Sequence, residues 1–288
     1  MIKPPIANDK RSLKFGGSFA VMDREILSDL SSVPQVDPDY FCKKYLEWIR
    51  STKLNSIQGL EKFPFLAYAN GTTEAFDKFY IKNNKRRFRC FRGEYVYHQV
   101  TWRNNWPDWK FLEDAPLHEN DAVIISLPFS DTGNEHSMMQ SVLEQCSQLG
   151  IPVLVDCAYF GVCANINFNF DYDCITDITF SLSKAFPLAY ARIGMRLTRI
   201  DDDDGLLMLQ KIGYTNRISA ALGTKIIEKY SPDYIVNKYS QKQQMLCDEL
   251  GIVPSNTVTF GLDYDNRYPE YNRGTATNRL GLYKHYEV

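Results

Sequence analysis

Lys184 has two hydroxyls shortly before it, Ser181 and Ser183, and an arginine, Arg192, eight residues after it. A lysine amine can form a Schiff base with a carbonyl compound. Hydroxyls and an arginine in the same stretch can hold a phosphate, the arginine with charge and bidentate geometry. Upstream, Pro152-Val153-Leu154-Val155 reads as a buried strand that ends in an acid, Asp156, with a phenol, Tyr159, close behind it. Together these residue types could hold a phosphorylated carbonyl ligand; taken singly, Lys184 reads as a surface charge, Asp156 as an acid capping a turn and Tyr159 as a packed ring.

The elements that must position these groups belong to a chain of 288 residues, enough for one large domain or a large domain with a small one. Hydrophobic and charged contents are those of an ordinary globular protein. A net charge of −2 gives no electrostatic reason to expect a nucleic-acid partner or an anionic membrane surface. No apolar run reaches the length of a membrane span, and Met1-Ile2-Lys3-Pro4-Pro5 lacks the apolar core of a signal peptide. The seven cysteines show neither CxxC nor zinc-finger spacing, so reduced, buried thiols in a cytoplasmic protein are expected, with no metal site.

Residues 1–35 read as an irregular arm, and Gly16-Gly17 as a turn signal without a dinucleotide fingerprint. From Asp37, with Asp37 or Asp39 as cap, Phe41, Tyr45, Trp48 and Ile49 recur at helical spacing. Phe65–Asn70 reads as a strand, Gly71 as a turn, and Thr72 as the start of a helix running through Phe79. Such a helix start can hold an anion; equally, Asn70 or Thr72 simply caps the helix with help from Glu74. Arg86–Phe91 alternates as a strand, its basic cluster read as a solvated loop and strand face. Tyr95 follows, either stacked on a planar cofactor or packed on its own sheet edge.

The run Asp121–Leu127 predicts a strand buried on both faces. It ends in a polar turn carrying Ser130. Met138, Met139, Val142, Leu143 and Cys146 then predict a helix closing at Gly150, completing a βαβ unit with parallel strands. Asp177–Ser181 and Ile193–Leu197 read as further strands, and Asp201–Asp204 as a solvated turn capping the next helix. Residues 206–250 read as helices broken at Ser231-Pro232, and Thr257–Phe260 and Arg279–Leu282 as short strands.

In open parallel α/β sheets, ligands bind at the carboxyl ends of strands. Gly71-Thr72, Tyr95, Ser130, Asp156 with Tyr159, and Ser181 to Lys184 all follow predicted strands. With Asn70-Gly71-Thr72-Thr73-Glu74-Ala75, Asp156-Cys157-Ala158-Tyr159 and Ser181-x-Ser183-Lys184 followed by Arg192-x-Gly194, the sequence resembles the fold-type I pyridoxal-phosphate enzymes of the aspartate aminotransferase superfamily. The resemblance spans roughly residues 60–230. It implies an α/β three-layer sandwich with a mainly parallel sheet. Residues 1–49 would form an arm and helix, 50–230 the large cofactor domain, and 231–288 a reduced small α/β domain.

The resemblance also implies roles. Lys184 would carry pyridoxal 5′-phosphate as a Schiff base and then move the substrate proton. Asp156 would pair with the pyridine nitrogen, and Tyr159 would donate to the ring's phenolate oxygen. Gly71, Thr72, Ser181, Ser183 and Arg192 would form the phosphate cup, and Tyr95 would stack on the ring. Two departures stand out. Where the family has Asn-Pro-Thr-Gly, this chain has Ser130-Asp131-Thr132-Gly133, and both ends are short. For the substrate carboxylate the best match is Arg279, with Arg273 as competitor and a structural surface arginine as the alternative to both. The implied activity is transamination between a small amino donor and a keto acceptor. The alternatives are a decarboxylase, lyase or aldolase-type reaction on the same cofactor, or a binding protein that has lost turnover. Tyr214-Thr215-Asn216-Arg217 resembles the segment that reaches a neighbouring subunit, implying a homodimer.

Overall fold

The chain before the first described helix leads straight into its cap. A computed structural model describes residues 33–106, 108–202 and 204–286; the arm expected over 1–35 and its Gly16-Gly17 turn lie almost wholly outside these residues. Asp37 accepts hydrogen bonds from the N–H groups of Asp39 and Tyr40, and Pro38 opens helix α1 (Pro38–Arg50). The apolar residues at helical spacing, Phe41, Tyr45, Trp48 and Ile49, are its buried face. From Gln35 on, the described residues form one compact unit.

The strands are β1 (Ser56–Gln58), β2 (Phe65–Asn70), β3 (Arg87–Cys90), β4 (Trp109–Phe111), β5 (Asp121–Ser126), β6 (Val153–Cys157), β7 (Asn167–Asn169), β8 (Ile175–Ser181), β9 (Ile193–Thr198), β10 (Val253–Pro254), β11 (Phe260–Asp263) and β12 (Asn278–Gly281). The later helices are α2 (Thr72–Lys82), α3 (Val96–Asn105), α4 (Met139–Leu149), α5 (Gly205–Lys211), α6 (Arg217–Lys229) and α7 (Tyr234–Leu250). The central sheet runs β2-β9-β8-β6-β5-β3-β4, parallel from β8 to β4 and antiparallel on both sides of β9.

Period-2 alternation splits the core between the two faces of this sheet. Val123, Ile125, Val153 and Val155 pack with α1, α4 and α6. Ala122, Ile124 and Leu154 point the other way, against Phe76, Phe79 and Tyr80 of α2 and Trp102 of α3. Each fully buried side chain of this size contributes roughly 1.5–3 kcal/mol. The result is a three-layer α/β sandwich with a mostly parallel sheet. The chain ends in an antiparallel sheet, β10-β11-β12, whose Leu280 clusters with Cys247 of α7 and with Ile252, Leu282 and Tyr286.

Strand direction decides what meets at one edge. β2 is antiparallel to β9 and β9 to β8, so Asn70 pairs with Ile193 and Ser181 with Gly194 at the same end of the sheet. The carboxyl ends of β3, β5 and β6 share that end.

Three expectations are corrected. The basic cluster of β3 is not simply solvated: Arg89 is fully buried. Its guanidinium donates to Asp121 Oδ2 and to the carbonyls of Lys110, Phe111, Ala115 and Pro116, which replace the water it leaves. In the tail, the strand expected over Thr257–Phe260 begins only at Phe260. The hydroxyls before it are engaged elsewhere, Thr257 Oγ1 donating to Gly133 O and Ser255 Oγ to Thr132 O. The following strand is Asn278–Gly281, one residue earlier than expected. The Asp201–Asp204 turn does cap a helix: Asp204 accepts from the N–H groups of Leu206 and Leu207, and it also pairs with Arg196.

Candidate active site

One cleft at this sheet end is lined by Thr72, Tyr95, Ser130, Asp156, Tyr159, Ser181, Ser183, Lys184 and Arg192, together with Thr73, Ser126, Ala158 and Ala189. Every sequence-predicted site residue except Gly71 and Arg279 is therefore in its wall, and Gly71 supports it from behind.

The cationic end of the cleft is built on Gly71. This residue has φ +76°, and a Cβ there would lie 2.3 Å from Arg192 Nη2. Only glycine lets the guanidinium lie against the start of α2. Gly194 allows the second close approach, since its Cβ would lie 3.0 Å from the Gly71 backbone. Arg192 itself has φ +51°, its carbonyl accepts from Tyr68 Oη at 2.9 Å, and its Nη2 donates to Thr73 Oγ1 at 3.0 Å. No side chain caps the first N–H groups of α2, since Glu74 turns back to the Asn70 N–H instead. Ser181 Oγ lies 3.0 Å from Ser183 Oγ and accepts from the Ser183 N–H at 3.1 Å. Uncapped helix N–H groups, hydroxyls and a guanidinium make an anion cradle.

The opposite end is acidic. Asp156 is buried, and both of its hydrogen bonds, from Thr179 Oγ1 and the Ala158 N–H at 3.1 Å each, fall on Oδ1. Burial raises its carboxyl to about 7, with Thr179, Ala158 and Lys184 pulling the other way. Between the ends, Tyr95 precedes α3 and projects into the cleft with its ring stacked on Tyr97 at 6.0 Å. Lys184 Nζ stands 5.6 Å from the centre of the Tyr159 ring. Burial raises the Tyr159 phenol, and Arg279 and Arg273 offset part of that.

A second cavity adjoins the first and shares Tyr159, Ser183 and Lys184 with it. Arg279 lines this one, its guanidinium 4.4 Å over the Phe260 ring and one nitrogen donating to Ser130 O at 2.5 Å. Arg273 is placed differently. It bonds Ser130 O at 2.9 Å and Glu94 O at 3.2 Å and lies 3.6 Å from Asp131 Oδ1, so it braces two loops. Ser130 lines the cleft; its carbonyl accepts from Arg273 and Arg279, and its hydroxyl oxygen lies 3.5 Å from Arg273 Nη1.

Sequence reasoning did not single out Thr73, Ser126, Ala158 or Glu94. Ala158 stands in the quoted Asp-Cys-Ala-Tyr stretch and Thr73 beside Thr72, so adjacency was the available signal. Ser126 and Glu94 gave none. Among the described residues no group of three or more His, Cys, Asp or Glu could hold a metal, and no helix is long and apolar enough to cross a membrane.

An anion cradle at one end, an acid at the other, an aromatic face between them and a lysine at the rim fit a flat phosphorylated heteroaromatic aldehyde. The cradle that a Cβ at Gly71 would fill and the uncommitted Oδ2 of Asp156 are the observations that make the fit.

No protein-family model matches the chain, and no curated protein matches it in sequence. Solved structures match it in shape. The pyridoxal-phosphate-bound C-S lyase from Staphylococcus hominis superposes with a TM-score of 0.64 at 14% identity, over 86% of this chain and 72% of that one. Histidinol-phosphate aminotransferase from Clostridium acetobutylicum gives 0.60 at 15% identity, over 89% and 87%. L-threonine-O-3-phosphate decarboxylase from Porphyromonas gingivalis gives 0.61 at 13%, over 90% of each chain. The likeness is one of architecture, and it identifies the chain as having the fold of the fold-type I pyridoxal-phosphate-dependent enzymes.

Proposed function

We propose that the cleft binds pyridoxal 5′-phosphate and that the protein is an aminotransferase, moving an amino group from an amino acid donor to a keto acceptor. The observation that carries this reading is the position of Lys184, which borders both the cleft with the anion cradle and the cavity lined by Arg279. When bound, the cofactor supplies an electron sink for the negative charge left at the substrate Cα. The chain's own residues do the rest. Lys184 would hold the cofactor through its amine and, as a free amine, would take and return the proton at the substrate Cα. Asp156, ionised, would keep a proton on the ring nitrogen, and Tyr159 would donate to the ring's phenolate oxygen. Arg192, Ser181, Ser183 and the start of α2 would hold the phosphate, and Tyr95 would pack against the ring. Arg279 receives the substrate carboxylate, and Arg273, already committed to two carbonyls, does not.

The same reading includes a homodimer. Tyr214, 59% exposed, gives apolar surface on the segment that resembles a subunit-crossing loop, and Tyr190, 79% exposed, gives more on the loop before β9. A second reaction class is supported by Ser130. Its shorter side chain, with the carbonyl holding Arg279, leaves substrate placement less constrained than an asparagine would, and placement selects which bond breaks. A decarboxylase or lyase is therefore the alternative.

Incubating the cofactor-loaded protein with a panel of amino acids tests the reading. Release of the donor's keto acid, with a matching change in the bound cofactor's absorbance, is expected. Carbon dioxide or a cleaved fragment in its place selects the alternative, and no product from any donor contradicts both.

A further inference from the structure

Two carboxylates lie beneath the cleft, and only one of them belongs to the constellation above. Ser126, paired with Asp156 across β5 and β6, carries the second. Glu94 Oε1 accepts from the Ser126 N–H at 2.8 Å and Oε2 from Ser126 Oγ at 2.5 Å. Glu94 is 1% exposed. The turn that buries it depends on Gly93, which has φ +88° and whose Cβ would lie 2.8 Å from both Asp131 Cβ and Thr275 Cγ2. Arg273 is close, but it bonds the Glu94 carbonyl and not the carboxylate.

Among the described residues, every hydrogen bond to either carboxylate comes from a neutral donor: Ser126 and the Tyr95 N–H for Glu94, Thr179 and the Ala158 N–H for Asp156. Cys90 and Tyr95 also face Glu94; Tyr80, Cys157, Tyr159 and Lys184 face Asp156. Burial lifts Glu94 to about 7, with the Ser126 bonds opposing it and Asp156 adding to it. Ser126 spends its hydroxyl proton on Glu94, so it offers only lone pairs to the cleft. Lys184 faces Asp156, but among the described residues no cation hydrogen-bonds either carboxylate; a cationic occupant would supply that partner.

We propose that Glu94 is a positioning residue which, through Ser126 and together with Asp156, makes the cleft floor a doubly acidic site for the protonated nitrogen of a heteroaromatic ring. This rests on the reading of the cleft as a pyridoxal-phosphate site. The folded values of both acids lie above their unfolded ones. Their contribution to the stability of the cofactor-free protein is therefore complete below about pH 4 and is lost as pH rises through about 7. A bound cation favours the ionised forms, so it stabilises more at high pH.

The test compares wild type with Glu94→Gln, cofactor-free and loaded, by unfolding midpoints at pH 5.5 and 8.5 and by titration with pyridoxal phosphate. Cofactor-free Glu94→Gln should lose less stability than wild type between the two pH values, while its affinity for pyridoxal phosphate at pH 8.5 falls about tenfold, as for a one-unit shift. Glu94→Asp, which keeps the charge, should recover part of that affinity. A purely structural role would lower stability equally at both pH values and give no recovery with aspartate. Unchanged affinity and an unchanged pH slope in Glu94→Gln would overturn the inference. If Glu94→Gln does not fold, Ser126→Ala replaces it, because it removes the hydroxyl bond through which Glu94 acts; unchanged affinity and an unchanged pH slope in that variant overturn the inference equally. If wild type itself binds no pyridoxal phosphate, the reading of the site fails, and the cofactor-free pH slope still decides whether Glu94 is a proton-holding acid.

Discussion

Gly71 and Arg192 compete for the same space, and the cleft depends on glycine conceding it. A methyl group at residue 71 would sit 2.3 Å from the guanidinium, on a backbone with φ +76°. Gly71→Ala therefore adds local strain of about 1–2 kcal/mol and moves Arg192 off the start of α2. A charged hydrogen-bonding group is worth roughly 1.5–3 kcal/mol, so the affinity of the cofactor-free protein for pyridoxal phosphate should fall on the order of ten- to a hundredfold. Equilibrium titration measures it directly. An unaltered affinity in a folded variant would mean that Arg192 is not part of the cradle. The two C-terminal arginines differ at the same scale. Arg279 reaches a cavity shared with Lys184, whereas Arg273 is used up on the carbonyls of Ser130 and Glu94.

Elements were legible where their pattern had a local cause. The Asp37 cap with its apolar spacing gave α1, and the continuous apolar runs of β5 and β6 announced strands covered on both faces. The end of β6 and the loops after β2 and β8 carried enough chemistry to place Asp156, Gly71 and Lys184 at one edge from the sequence. What stayed hidden depends on partners distant in sequence. Nothing around Arg89 reveals that Asp121 and the carbonyls of residues 110–116 will bury it. Nothing near Thr257 reveals that the turn at Thr132-Gly133 takes the hydroxyls of Ser255 and Thr257 and delays the strand. Strands of three residues, such as β1, β4 and β7, are too short to show alternation. Glu94 was invisible as an acid of the cleft because that role is set by Ser126, thirty-two residues later on a neighbouring strand.

At the scale of the molecule, the antiparallel strand β9 is what completes the site. Its direction returns Arg192 to the edge where β2 and β8 end, beside Gly71 and Ser181. The phosphate cradle is thus assembled from β2 and, more than a hundred residues later, the consecutive strands β8 and β9, whose connecting loop carries the exposed Tyr190. If that surface is an interface, sedimentation at micromolar concentration should give twice the chain's mass of 33.3 kDa; a stable monomer there would contradict the dimer.

The central claim is that Lys184 is the residue that holds pyridoxal phosphate, and borohydride tests it most directly. The reagent turns a reducible lysine–aldehyde link into a permanent one. Loading the protein with pyridoxal phosphate, reducing it and mapping the modified peptide should place a single label on Lys184. Lys184→Ala should take up none, while its fold is unchanged by circular dichroism. A label on another lysine, or an equal label in Lys184→Ala, would contradict the account.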